Sequence, residues 1–182
     1  MVLISRHTFR GWGTKLSLCR KHISVAGYRT AVGKAKRGGF RFYRPDDLAV
    51  DVIKGLMASV PQLEAKRVDD VIVGNAVPEK QSKGLQVGRI IAARALGFDI
   101  PGMTGEQVLC KRIETISIAT AKIRMGMADC IVAGGTESMS LVPTARMETG
   151  ACPYSIAKDE PDYYLSMGLT AEAVAKEYNG KS

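Results

Sequence analysis

"IETISIATAKIRMGMADCIVAGG", residues 113–135, is the stretch that decides the fold. Its first part repeats apolar residues at helical spacing, which predicts one face carrying Ile113, Ile116, Ile123 and Met127 with the small Thr120 between them. Its last part, "DCIVAGG", is a β-branched run closed by two glycines, the pattern of a strand buried on both faces. A helix that runs straight into a buried strand is the second half of a βαβ unit.

Working upstream, the same alternation recurs. "GMTGEQVL" (102–109) reads as a weaker strand, and "LQVGRIIAARALG" (85–97) as a helix stopped by Gly97. "DDVIVGNAV" (69–77) is a second buried-strand run, interrupted by Gly74. Pro45 with Asp46 and Asp47 opens a helix, because proline fixes φ and first-turn carboxylates complement the helix dipole. Its apolar positions are Ala49, Val52, Ile53, Leu56, Met57 and Val60. "ISVAG" (23–27) is a further strand, leading into a Gly- and Lys-rich loop. Strands and helices in alternation predict an α/β layer with a mostly parallel central sheet. Beyond Gly135 the pattern breaks: residues 140–169 read as irregular, followed by the short helix "TAEAVAKEYNG". The expected division is a leader over 1–22, a domain over 23–139 and the start of another over 140–182.

Composition narrows the class. With 182 residues, 46% hydrophobic and 24% charged, the chain has the make-up of a globular protein with one main core. No apolar run approaches the roughly 18 residues of a membrane span. Cys19, Cys110, Cys130 and Cys152 form no C-x-x-C pair and read as free thiols. The two histidines, His7 and His22, both lie near the N-terminus, which argues against a zinc site. The net charge of +8 belongs to one end: all 18 acidic residues follow position 45. Residues 1–22 are basic, hydroxylated and acid-free, the composition of a targeting segment, mitochondrial in type, or of an unstructured leader. The expected compartment is the cytoplasm, or a mitochondrion or peroxisome if that segment is a true signal.

In a parallel α/β sheet, ligands bind beyond the carboxyl ends of the strands. Two stretches qualify: the turn 105–112, and "GGTESMS" (134–140). A thiol just before a helix has its thiolate stabilised by the dipole and by nearby cations. Cys110, followed by Lys111 and Arg112, has those ingredients, so it is the candidate nucleophile; the competing reading is a small half-buried residue. Cys130 lies inside an apolar strand and reads as core, and Cys152 has nothing beside it to act as base. "KAKRGGFRFYR" (34–44) interleaves basic residues with Phe40, Phe42 and Tyr43, as RNA-recognition strands do. The partner strand of that fold is absent, so it reads as a surface loop whose aromatics pack down, or as a contact for the phosphates of a nucleotide-bearing substrate. Nucleic acid is not an expected partner.

"VAGYRTAVGKAKRGGF", "DDVIVGNAVPE", "GLQVGRIIAARALG" and above all "ADCIVAGGTESMSLVPT" resemble the N-terminal half of a thiolase, of the 3-ketoacyl-CoA type, from about Ile23 to about Tyr178. The resemblance implies two βαβαβαββ halves, with residues 140–182 starting the family's loop domain. It also implies a homodimer or homotetramer in the full-length parent. The implied chemistry is thiolysis of a 3-ketoacyl-CoA, or the reverse condensation, through a cysteine acyl-enzyme. Acyl-CoA and CoA are then substrates, with no metal or redox cofactor. A histidine that activates the cysteine and a second cysteine that moves a proton are expected beyond residue 182, so this chain alone is expected to be inactive.

One departure falls on the nucleophile. The family reads Val-Asn-Arg-Phe-Cys-Ser/Ala-Ser-Gly where this chain has Gly105–Arg112, so the nucleophile register falls on Leu109, and Cys110 is one place late. A coding of this octapeptide, shifted by one base, returns Val-Asn-Arg-Phe-Cys-Ala-Ser. Residues 146–153 and 80–84 can be coded to behave alike, which suggests compensated frame slips. Clean genomic reads across codons 104–113 with an uninterrupted frame and no slip would sink that idea. Two readings stay open: a thiolase-family acyltransferase, and a noncatalytic thiolase-like remnant with an acyl-CoA-binding or structural role.

Overall fold

The computed structural model describes residues 1–6, 22–76, 86–106, 111–138, 140–141, 158–159, 162 and 165–178. By contacts the chain divides into two compact units, Met1–Pro143 and Thr144–Ser182. The first unit carries strands β1 (Val2–Arg6), β2 (His22–Gly27), β3 (Asp70–Gly74), β4 (Gly102–Gly105) and β5 (Cys130–Gly135). Its helices are α1 (Pro45–Ser59), α2 (Val87–Ala95) and α3 (Lys111–Arg124). The second unit contributes α4 (Met167–Glu177), whose N-cap Ser166 accepts from the Leu169 amide at 3.3 Å.

The five strands lie in the order β2-β1-β5-β3-β4. β3 pairs in parallel with both β4 and β5, while β1 pairs antiparallel with β5 and with β2. Four strands therefore run one way and β1 opposes them. Alternation along each central strand divides the core into two layers. Val71 and Val73 of β3, Val132 of β5 and Leu3 of β1 pack beneath α1 and α2 with Ile53, Leu56 and Ile91. Ile72, Ile131, Ala133 and Ile4 point the other way and meet Ala119 and Ile123 of α3. Each large aliphatic side chain so enclosed stabilises the fold by about 1.5–3 kcal/mol.

Local chemistry fixes the helix ends. Pro45 opens α1, and the buried Asp46 receives Arg44 Nε and Arg94 Nη1, each at 2.9 Å. The second nitrogen of Arg94 reaches Asp47 at 2.5 Å, so α2 grips the first turn of α1. Gly97, at φ +119°, takes the conformation that ends α2, donating to the Ala92 carbonyl at 3.3 Å.

Three expectations need correction. The face of α3 turned to the sheet is Thr115, Ala119 and Ile123, whereas Ile113 is 71% and Met127 73% exposed. Small residues win that face because α3 lies close to β5: the Thr115 hydroxyl donates to the Gly134 carbonyl at 3.0 Å. The helix also ends at Arg124, before Met127. Next, residues 1–22 are not one separate leader: Val2–Arg6 form β1 inside the sheet, with Leu3 and Ile4 buried. Two adjacent apolar residues, one per face, suffice for a doubly covered strand, a pattern too short to stand out from the sequence. Residues 7–21 lie outside the described residues. Last, the aromatics of the basic loop do not all pack down. Phe40 and Tyr43 meet edge to face with centroids 6.2 Å apart, but Phe42 stays exposed with the Arg41 guanidinium 4.6 Å from its ring centre.

Candidate active site

The carboxyl edge of the sheet is assembled from the ends of β3, β4 and β5. The strand glycines let three backbones meet there. The Asn75 amide donates to the Gly105 carbonyl at 3.1 Å, and the Thr136 amide donates to the Gly74 carbonyl at 3.1 Å. Asn75 is fully buried, and its Nδ2 donates to the Thr136 carbonyl at 2.8 Å. The Thr136 hydroxyl donates to the Pro45 carbonyl at 2.6 Å, fastening the start of α1 to the end of β5. Glu137 accepts from the Ala76 amide at 2.8 Å and from the Ser138 amide at 3.3 Å. Buried polar groups satisfied in this way hold backbone ends in a fixed arrangement. The polar residues of "GGTESMS" thus build the frame of the edge. The sequence signalled the stretch, yet it did not reveal Asn75 as its partner.

Of the residues singled out from sequence, Cys110 and Leu109 lie outside the described residues, as do Cys19 and Cys152. Their flanks are described. β4 closes at Gly105 on the carboxyl edge, and α3 begins at Lys111, the residue after Cys110 in the chain. Thr115 then ties the first turns of α3 to β5. The segment 106–110 therefore joins a strand's carboxyl end to a helix N-terminus, where amides and dipole favour an anion.

A cavity of about 110 Å³ opens at the same edge, lined among others by Met1, Arg29, Thr30, Thr136 and Glu137. Pockets for cofactor-sized ligands run to roughly 300–1,000 Å³, so this one accommodates a few waters and not a coenzyme.

Cys130 sits at the opposite end of β5, where its strand begins. Burial pushes its thiol up to about 11, and Asp69 adds to the shift; the Asp69 carboxylate also accepts from the Cys130 amide at 2.9 Å. A thiol held protonated is a poor nucleophile, and Cys130 is a core residue. A testable pH effect follows. The folded state prefers the protonated thiol, so this stabilisation is complete below the unfolded pKa of about 8.5 and is lost as pH rises through the folded value. Between about pH 8 and pH 11, urea-derived stability is expected to fall more steeply in the wild-type chain than in Cys130→Ala, by on the order of 1–2 kcal/mol once solvent screening is allowed for. Equal pH slopes in the two proteins would contradict the buried thiol.

A mostly parallel sheet with α1 and α2 on one face, α3 on the other, and a strand–turn–helix at its carboxyl edge defines a three-layer α/β domain. The crystal structure of the Bacillus anthracis acetyl-CoA acetyltransferase shares this fold: TM-score 0.61 at 24% identity, over 81% of this chain and 39% of that one. The thiolase N-terminal domain model matches residues 23–181, and the chain belongs to the thiolase family. It is 39% identical over 160 residues to a 3-ketoacyl-CoA thiolase of Bacillus subtilis, and 32% identical over 163 residues to the peroxisomal 3-ketoacyl-CoA thiolase 5 of Arabidopsis thaliana. Those matches take in 87% and 86% of this chain but 40% and 34% of the two relatives, so the chain spans well under half of their length. Among the described residues, no helix is long and apolar enough to cross a membrane.

Proposed function

We propose that this chain carries the acyl-capturing portion of a thiolase, acting on 3-ketoacyl-CoA and acetyl-CoA thioesters through a covalent intermediate on Cys110. The observation that supports this most directly is local. In a thiolase N-terminal domain, helix α3 starts at the residue following Cys110, after a strand that ends on the ligand edge of the sheet.

In the degradative direction the Cys110 thiolate adds to the C3 carbonyl of a 3-ketoacyl-CoA. The C2–C3 bond breaks, leaving the acyl group on sulfur and an acetyl-CoA enolate that takes a proton. CoA thiol then adds to the acyl-enzyme, and the cysteine leaves as thiolate with the new acyl-CoA formed. Condensation is the same sequence reversed. Helix-terminal amides and the Lys111 and Arg112 charges favour the thiolate and the tetrahedral oxyanion. Acyl-CoA and CoA are substrates in this scheme, and it calls on no metal or redox cofactor. The activating histidine and the second cysteine belong, in this proposal, to the full-length parent beyond residue 182; the histidines of the present sequence are His7 and His22. Assembly as a homodimer or homotetramer belongs to the same proposal for the full-length parent. So does a cytoplasmic location, with a mitochondrion or peroxisome as the alternative if residues 1–22 act as a targeting segment.

The experiment is to incubate the purified chain with acetyl-CoA and map acetylated peptides, alongside an assay of acetoacetyl-CoA thiolysis. An acetyl adduct on the peptide holding Cys110, without sustained turnover, is the expected result. No adduct at any cysteine, in a chain that still binds acetyl-CoA, would favour the noncatalytic reading that the Leu109 register suggests.

A further inference from the structure

The loop that joins β2 to α1 is strongly basic, with six Lys or Arg over residues 28–44 and no acidic residue. Arg44 is tied to Asp46. Lys34, Lys36, Arg37 and Arg41 are exposed, and none of the four enters an ion pair among the described residues. Four unneutralised cations within eight residues of chain repel one another, and an opposing anion removes that repulsion. Apolar side chains stand out among them. Val32 is 81% and Phe42 76% exposed, and the Arg41 guanidinium is held against the Phe42 ring.

The loop is nevertheless wound into a fixed shape. The Gly38 amide donates to the Lys34 carbonyl at 2.7 Å, and the Arg41 amide to the Gly38 carbonyl at 3.1 Å. Gly38 permits the first closure, since a Cβ there would stand 2.6 Å from the Lys34 backbone. The Tyr43 hydroxyl donates to the Asp51 carboxylate at 2.5 Å, which anchors the loop to α1. Lys36 holds φ +63°, in the left-handed region, and its amide donates to Ser140 Oγ at 3.0 Å. Glycine or asparagine takes that conformation with less strain, so shape alone does not account for a lysine there.

We propose that this loop is a docking surface for an anionic lipid bilayer. Lys34, Lys36, Arg37 and Arg41 meet the headgroups, while Val32 and Phe42 enter the interfacial layer. Charge complementarity calls for a polyanion, and the exposed apolar pair selects the bilayer. Cations beside apolar side chains bind at the headgroup boundary through attraction and burial together. A single-stranded nucleic acid would instead stack its bases on open ring faces. Arg41 already covers one face of Phe42, and Val32 offers no platform for a base. Residues 46–182 carry all 18 acidic residues against 15 basic, so a negative surface turns the basic end toward itself.

The test is sedimentation of the full chain with lipid vesicles. Phosphatidylcholine vesicles holding about 30% phosphatidylserine are expected to carry the chain down at about 0.1 M salt, and pure phosphatidylcholine vesicles to leave it in solution. Raising the salt to about 0.5 M is expected to weaken binding at least about tenfold. Lys34→Gln with Arg37→Gln is expected to weaken it about thirtyfold, at roughly fivefold per cation. Phe42→Ala is expected to weaken it about tenfold at either salt concentration. These exposed substitutions are expected to leave the melting temperature unchanged. A control variant carries Arg10→Gln, Lys15→Gln, Arg20→Gln and Lys21→Gln, and is expected to lose less binding than the two-residue loop variant. The proposal is overturned if anionic vesicles leave the chain in solution, if Phe42→Ala binds like wild type, or if the control variant loses more than the loop variant. It is equally overturned if poly(U) RNA or inorganic tripolyphosphate binds in a loop-dependent way and the vesicles do not.

Discussion

Gly88→Ala is expected to destabilise the chain by about 3 kcal/mol, although alanine is the better helix former by about 1 kcal/mol. The reason lies in how α2 meets β4. A Cβ on Gly88 would run into the carbonyl of Met103 and would stand 3.0 Å from the Thr104 amide nitrogen. A Cβ on Gly102 would meet the Gly88 carbonyl and, at 2.9 Å, the Ala92 side chain. The Cβ on Gly88 would meet backbone atoms, so no rotamer change relieves the clash; helix and strand must separate, and the Gly88 amide must give up its 2.9 Å bond to Thr104 Oγ1. Gly55 supplies the control. It lies in α1, and a Cβ there would stand 3.7 Å from the Tyr28 ring, an ordinary contact. Gly55→Ala is therefore expected to stabilise by up to about 1 kcal/mol. Urea titrations read both, as midpoint shifts of opposite sign at similar m-values. Midpoints that move together would show that α2 does not seat on β4 as described. Set against a total stability of about 5–15 kcal/mol, the Gly88 loss is large enough to raise the unfolded population greatly.

That contact also shows where sequence reasoning runs out. "LQVGRIIAARALG" announced a helix, and Gly97 announced its end, because periodicity and a left-handed glycine are local signals. Gly88 carried no such signal. Its role depends on Met103 and Thr104, which come close only after the sheet has formed. The face of α3 was misjudged for a related reason. Periodicity weights large apolar residues, so Ile113 and Met127 were expected inward; close packing on β5 selected Thr115 and Ala119 instead. β1 shows a third kind of failure. Basic and hydroxylated composition over 1–22 described the average of a segment, while two apolar neighbours, Leu3 and Ile4, decided where its beginning went.

The site divides similarly. "GGTESMS" was marked twice, by following a predicted parallel strand, where α/β sheets bind ligands, and by lying in the stretch that most resembles a thiolase. What those residues do there was not legible. Thr136 and Glu137 turn their polar atoms to Pro45 and Ala76, from other parts of the sheet edge, and Glu137 also accepts from its neighbour Ser138. The core assignment of Cys130 was readable, since a thiol in a β-branched run is enclosed on both faces.

Iodoacetamide titration of the purified chain is expected to separate the thiols by their protonation chemistry. An ordinary cysteine, with a pKa of about 8.5, is roughly 3% thiolate at pH 7. If Cys110 is the proposed nucleophile, its thiol, followed in sequence by Lys111 and Arg112, belongs with the activated thiols lowered to about 7 or below, at least about half thiolate at pH 7. The lower basicity takes back part of that gain, because nucleophilicity falls with pKa by a Brønsted slope of about 0.4–0.5. The net rate advantage at pH 7 is then only about threefold, so the decisive readout is the midpoint of the pH–rate profile. For Cys110 that midpoint is expected near pH 7 or lower, about 1.5 units below a free thiol. Cys130, with its thiol pushed up to about 11, is expected to react over about a hundredfold more slowly until the chain is unfolded. Cys110→Ala should abolish the fast phase. In the double variant Leu109→Cys, Cys110→Ala the thiol moves to the register of the family's nucleophile. If the family geometry holds at this turn, that variant should accept acetyl from acetyl-CoA faster than the wild-type chain. A Cys110 midpoint at 8.5 or above would place it among ordinary thiols, and fast acetylation confined to the double variant would show that the single-residue displacement had silenced the site.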